Sequence, residues 1–201
     1  MQIRYSQKLL GILAGLLVLF GSSLLIFLDD PSSLSAAELL TNPDFEDGAN
    51  GWTTSPGTTI FTLVSSPVYS GNLAASVGSA SNATKAIGQN VPGIVAGNRY
   101  TLSGYGYKDD PNVALVRLRV AWYTTDDCSG SQLATADSNE LTADGPDFVF
   151  LSTGALTAPA NTHCAQVRAQ IQPVGSNPAT AYFDNLRFVV DEEPPPPPIT
   201  P

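Results

Sequence analysis

From Glu38 onward the apolar positions of this chain recur every second residue, and windows long enough for a helix do not keep an i, i+3, i+4, i+7 apolar stripe. Gly, Pro or Asn interrupts most of them. The pattern predicts short strands at Ile60–Val64, Leu73–Val77, Ala83–Val91, Arg99–Tyr107, Ala114–Thr124, Phe148–Ser152, Ala165–Gln172 and Ala181–Val190. Turn residues separate them, as in Tyr69-Ser70-Gly71-Asn72 and the Pro92-Gly93 pair. Eight or nine such strands indicate an all-β antiparallel β-sandwich or jelly roll.

Alternation also sorts the side chains into two faces. In Ala114–Thr124 the apolar set is Val116, Leu118, Val120 and Trp122, with Arg117, Arg119, Ala121 and Tyr123 opposite. In Ala165–Gln172 it is Val167, Ala169 and Ile171, against Gln166, Arg168 and Gln170. In Arg99–Tyr107, Tyr100 and Leu102 share a face with Gly104 and Gly106, against Thr101, Ser103, Tyr105 and Tyr107. Trp122 is in phase with the core set, and Trp52, which follows the opening turn, is assigned to the core as well.

The segment before this region has a different texture. Arg4 and Lys8 precede an apolar run, Leu9–Leu28, which ends at Asp29 and Asp30. That charge order is expected of an export segment with a cytoplasmic N-terminus. Ser35 and Ala37 occupy the −3 and −1 positions of a cleavage site before Glu38. The run is also long enough to span a bilayer, so both a cleaved signal peptide and an uncleaved anchor stay open. The chain therefore divides into an export segment 1–37, a β domain 38–191 and a proline-rich stretch 192–201. The domain is expected outside the cell, secreted or at the cell surface, with membrane contact only through an uncleaved anchor.

Composition sharpens the picture. The 201 residues carry a formal charge of −9, with no Lys/Arg run, which disfavours nucleic acid as a partner. The two cysteines, Cys128 and Cys164, are not at metal-ligand spacing. In an exported chain such a pair is most simply one disulfide, closing a loop worth ~3–4 kcal/mol, the competing reading being two unpaired buried thiols.

Several short motifs, taken in order, carry a resemblance. Asn42-Pro43-Asp44-Phe45-Glu46-Asp47-Gly48 is followed by Gly51-Trp52, then by Val68-Tyr69-Ser70-Gly71-Asn72-Leu73-Ala74. Gln89-Asn90-Val91, Ala96-Gly97-Asn98-Arg99-Tyr100-Thr101-Leu102-Ser103 and the closing Ala181-Tyr182-Phe183-Asp184-Asn185-Leu186 complete the series. Together they resemble carbohydrate-binding modules of the family four/nine type, across about residues 38–190. The resemblance implies a galactose-binding-domain-like β-jelly roll and a polysaccharide or glycan partner. It also implies a structural calcium, with Glu46 and Asp184 at the matching positions and Asp44 or Asp47 assisting. Where the family often has Trp, this chain has Phe148.

If Arg99–Tyr107, Ala114–Thr124 and Ala165–Gln172 are neighbours in one sheet, their outward faces pool into one surface. It would carry Tyr105, Tyr107, Arg117, Arg119, Tyr123, Gln166, Arg168 and Gln170. Aromatic rings cover the C–H face of a pyranose, and guanidinium and amide groups bond its hydroxyls. The same residues also suit an ordinary solvated sheet face, with Arg and Tyr covering apolar surface.

Catalytic chemistry is not expected. His163 is the only histidine, and no Gly-x-Ser-x-Gly motif is present. Asp109-Asp110 and Asp126-Asp127 lie beside turn residues, where Asp is at home. The expectation is a monomeric, exported, non-catalytic glycan-binding module. The alternatives are a surface adhesion domain that binds proteins and, last, a glycoside hydrolase.

Overall fold

A computed structural model describes residues 36–191; all but the last two residues of the expected export segment 1–37, and the proline-rich stretch 192–201, lie outside the described residues. The described residues form ten strands: β1 (Thr53–Ser55), β2 (Ile60–Val64), β3 (Ala74–Ser79), β4 (Lys85–Pro92), β5 (Arg99–Tyr107), β6 (Val113–Tyr123), β7 (Gln132–Asp137), β8 (Val149–Thr157), β9 (Cys164–Pro173) and β10 (Ala179–Asp191). They build two five-stranded antiparallel sheets, β1-β4-β9-β6-β7 and β2-β3-β10-β5-β8, packed as a sandwich. Eight strands coincide with those the alternation predicts, within a few residues at each end.

The apolar phase of each central strand points between the sheets. Leu118, Val120 and Trp122 of β6, and Val167, Ala169 and Ile171 of β9, meet Tyr100, Leu102, Phe183 and Phe188 from β5 and β10. Tyr100 lies within 5.8 Å of the Trp122 ring and stacks on Phe188 at 5.6 Å. Its phenol also has a polar partner, accepting the Val95 N–H at 2.9 Å. Trp52 is buried against Phe45, with ring centroids 5.0 Å apart, and its indole N–H donates to the Asn42 carbonyl. Core burial of aromatic groups of this size stabilises a β-sandwich by roughly 1.5–3 kcal/mol per side chain.

Where the chain must fit backbone against backbone, glycine is required. At Gly88 in β4, a Cβ atom would come within 2.5 Å of the Val167 carbonyl oxygen on the paired strand β9. Cys128 and Cys164 are joined in a disulfide that spans 36 residues. It fastens the β6–β7 turn to the first residue of β9.

The topology corrects one sequence expectation. β6 and β9 are neighbours, but β5 lies in the other sheet, between β10 and β8. Tyr105 and Tyr107 are therefore separated by the thickness of the sandwich from Arg117, Arg119, Tyr123, Gln166, Arg168 and Gln170. The eight residues do not form one surface.

Candidate functional site

The outer face of the first sheet is laid out in rows set by strand register. Ala86 of β4, Gln170 of β9 and Arg117 of β6 form one row. Gly88, Arg168, Arg119 and Asp137 form the next, and Asn90, Gln166, Ala121 and Thr135 the third. Tyr123 opposes Gln132 of β7 at the end of the sheet. Ala86, Gly88 and Ala121 are small and buried beneath their longer neighbours, whose polar side chains form the surface of this face.

These polar groups hold one another in place. Asn90 donates to the Asp127 carbonyl at 3.0 Å and accepts from the Gln166 amide at 2.9 Å. Arg168 donates through Nε to Gln166 Oε1 at 2.8 Å, and its Nη2 also reaches Gln166 Oε1 and, at 3.3 Å, Tyr123 Oη. Tyr123 in turn donates to Gln132 Oε1 at 3.2 Å. The result is a continuous network from Asn90 to Gln132 in which each member is oriented by the next, an arrangement that lowers the ordering cost of binding.

The three arginines of this face are not equivalent. Arg119 is held by Asp137 through Nε at 2.5 Å and Nη2 at 2.6 Å, a bidentate pair. The pairing raises the Arg119 pKa and lowers that of Asp137, in each case mainly through the hydrogen bond between them. Arg117 is divided among Gln170, Glu140 at 3.0 Å and Asp137 at 3.3 Å. Among the described residues Arg168 alone of the three has no carboxylate within ion-pair distance; its partners are an amide and a phenol. It is the one guanidinium of the face whose charge is not already answered.

Strand alternation identified six residues of this surface correctly as outward, yet it missed Asn90, Gln132, Asp137 and Glu140. Asn90 follows Ala86 and Gly88 at every second position, a polar residue in phase with two small ones, and that was the available signal. Asp137 and Glu140 carry none, because only the fold brings β7 beside β6.

On the opposite side of the sandwich, Glu46 and Asp184, the positions for which the resemblance implies a calcium, come to the same turn as hydrogen-bond acceptors. Glu46 Oε1 accepts the N–H groups of Asn72 and Leu73 at 2.7 and 2.8 Å, and Oε2 accepts the Asn72 amide at 3.0 Å. Asp184 Oδ2 accepts the N–H groups of Tyr69 and Ser70 at 2.8 and 3.0 Å, and Oδ1 that of Asn185 at 2.7 Å. Glu46 Oε1 and Asp184 Oδ2 each accept two N–H groups, which uses the lone pairs a hard cation would need from them. Among the described residues no group of three or more His, Cys, Asp or Glu side chains gathers for a metal. The donor set does not fit calcium, and the two carboxylates act as clamps on residues 69–73. Gly71 in that turn has φ +67°, and a side chain there would collide with the Glu46 carboxylate.

The two clamps titrate in opposite directions. Hydrogen bonds from the Asn72 side chain, the Asn72 backbone and Leu73 lower the Glu46 pKa. Burial raises that of Asp184, against three backbone donors that lower it and with the Glu46 charge adding to the rise. Glu46 therefore contributes stability that is complete above its ordinary value of 4.5 and is lost as pH falls through its lowered native value. Thermal denaturation should show Glu46→Gln less stable than the native chain at pH 7, the gap closing in acid. Chelator or added calcium should leave the native midpoint unmoved, and a calcium-dependent rise would contradict the clamp.

The remaining sequence candidates for chemistry are turn residues. Asp127 accepts hydrogen bonds from Thr125 Oγ1, Ser129 N–H and Ser129 Oγ, which lower its pKa to about 2. It stays ionised and cannot serve as a general acid near neutral pH. His163 is exposed, and its Nδ1 is 4.0 Å from the still more exposed Asp126.

A family model described as a carbohydrate binding domain, covering families four and nine, matches residues 37–147, more than half of the chain. The chain belongs to this carbohydrate-binding domain family. No curated protein matches it. Among solved structures, a xylan-binding domain of family 22 superposes with TM-score 0.60 at 18% identity, over 77% of this chain and 96% of that one. A family 61 module, TmCBM61, solved with β-1,4-galactotriose, gives TM-score 0.55 at 13% identity over 78% and 100%. The enzymatically active domain of bacteriophage CBA120 tailspike protein 4 gives TM-score 0.56 at 12% identity over 77% of this chain, which spans only 21% of that protein. At these identities the likeness is one of fold.

Proposed function

We propose that this carbohydrate-binding domain is exported and non-catalytic, and that it holds a polysaccharide or glycan chain across the outer face of β4, β9 and β6. The observation that carries the reading is the pre-ordered network Asn90–Gln166–Arg168–Tyr123–Gln132, which covers the small residues Ala86, Gly88 and Ala121. Planar amides and a guanidinium pair with the vicinal hydroxyls presented along a sugar chain. Family membership supports a carbohydrate ligand, and the disulfide supports an oxidising compartment outside the cytoplasm. With Arg117 and Arg119 already paired to carboxylates, the face offers hydrogen bonding more than net positive charge.

The test is retardation of the protein in gels that contain neutral, carboxylated or sulfated polysaccharides, with hydrolysis products assayed in parallel. Retention by one or more glycans without release of reducing ends is expected. No retention across the panel would sink the reading, and release of sugars would overturn its non-catalytic part.

A further inference from the structure

The second sheet presents an unusual outer surface. Six aromatic rings form an unbroken chain there: Phe150, Tyr105, Tyr69, Phe148, Tyr107 and Tyr182. Phe150 lies 5.4 Å from Tyr105, which stacks on Tyr69 at 3.5 Å; Tyr69 meets Phe148 at 6.0 Å, Phe148 meets Tyr107 at 5.3 Å, and Tyr107 meets Tyr182 at 5.7 Å. Strand register accounts for the arrangement, because Tyr105 opposes Phe150 of β8 and Tyr107 opposes Tyr182 of β10. Tyr69 and Phe148 arrive from loops, and the Asp184 carboxylate fixes Tyr69 by its backbone N–H.

None of these rings belongs to the buried core. Phe150 is 52% exposed and Tyr69 43%. A surface Phe next to a surface Tyr is common, whereas a row of six on one face is the kind of apolar patch that ligand and partner sites use. The row borders a cleft of about 480 Å³, which runs between the Ser66–Tyr69 loop and Pro146–Phe148 with Tyr107 in its wall.

The chemistry of the cleft selects among occupants. Asp147 lines it and Asp109 accepts the Tyr107 hydroxyl at 3.1 Å, while none of the lining residues is a cation. An acidic glycan or a nucleic acid would be repelled. Centroid spacings of 3.5–6.0 Å put the rings in contact with each other, leaving no gap in which an ammonium group could sit between two faces. What remains available is a tilted apolar platform edged by phenols and carboxylates. Hydrogen bonding to Asp109 raises the Tyr107 pKa, and burial raises that of Tyr182, so both phenols stay protonated, the Tyr107 proton being donated to Asp109.

We propose that this aromatic cleft is a second ligand site, independent of the β4-β9-β6 face, and that it takes a neutral pyranose segment whose C–H faces lie on the rings and whose hydroxyls donate to Asp147 and Asp109. The full chain is titrated with neutral hexasaccharides of β-1,4-xylose, β-1,4-glucose, β-1,3-glucose and β-1,4-mannose, read by aromatic side-chain NMR and by calorimetry. At least one hexasaccharide should shift the Tyr105 and Tyr107 ring resonances. Tyr69→Ala and Phe148→Ala should each weaken that binding about tenfold or more, the scale expected when a stacking ring is lost. Phe150→Ala, which leaves the clamped turn untouched, serves as the third variant should Tyr69→Ala fold poorly.

Arg168→Ala should change this affinity by less than about twofold, since distant sites act independently. If Arg168→Ala abolishes the ring shifts, the molecule has one site and the proposal fails. It also fails if no hexasaccharide moves these rings, or if a peptide of residues 191–201 moves them and sugars do not. A chain that binds sugar at the rings but nowhere else would refute the β4-β9-β6 reading and leave this one standing.

Discussion

Arg168→Ala is expected to weaken binding of the retained polysaccharide by about 10–100-fold, the equivalent of losing one or two charge-assisted hydrogen bonds. Arg119→Ala should cost no more than about threefold, because its charge is already spent. Arg119 is locked to Asp137 by two short bonds, and a sugar hydroxyl would have to compete with a carboxylate for its N–H groups. Arg168 bonds only to the Gln166 amide and the Tyr123 phenol, both of which a bound hydroxyl can join without breaking an ion pair. Arg168→Lys should restore little, since an ammonium keeps the charge but loses the planar fork that spans two hydroxyls. Calorimetry on the three variants checks the order. Equal losses at Arg119 and Arg168 would mean that net charge, not donor availability, governs the site, and an unchanged Arg168→Ala would remove the face from consideration.

That ordering was not visible in the sequence, although the strands that create it were. Alternation located β5, β6 and β9 to within one residue at each end and placed every inward residue correctly, because a strand with one face in the core must carry an apolar period of two. Two strands escaped it. β1 is three residues long, and β7 is exposed or half-exposed on both faces, so burial imposes no period on Gln132–Asp137. The larger failure concerned sheets. Alternation distinguishes the side facing the core from the side facing water, and in a sandwich both sheets have a side facing water. Consecutive strands β5 and β6 therefore looked like partners when the chain actually crosses from one sheet to the other between them. The polar rows and the aromatic chain, which the sequence merged into one surface, are two chemically different faces. Glu46 and Asp184 show a related limit: their positions were legible, but a carboxylate that accepts backbone N–H groups and one that binds a cation look alike until the donors are placed.

Removing the disulfide, by Cys128→Ser with Cys164→Ser, is expected to destabilise the domain by about 4 kcal/mol on the chain-entropy model for the 36-residue loop. For a domain of this size that is a large part of the whole stability and corresponds to a drop in Tm of roughly 8–16 °C. Scanning calorimetry with and without reductant measures it, and an unchanged midpoint would show that the bond is dispensable. The same bond sits at the rim of the β4-β9-β6 face. Cys164 opposes Tyr123 across β9 and β6, and Cys128 holds the turn whose Asp127 carbonyl accepts the Asn90 amide. Freed from Cys164, that turn no longer fixes Asn90, and Asn90 no longer fixes Gln166 beneath the Arg168 guanidinium. Below the lowered Tm, the double variant should therefore stay folded yet bind glycan a few-fold more weakly, through loss of pre-ordering rather than loss of any contacting group. Binding at the Tyr69–Tyr107 cleft, on the far sheet and anchored by Asp184 instead, should be unaffected.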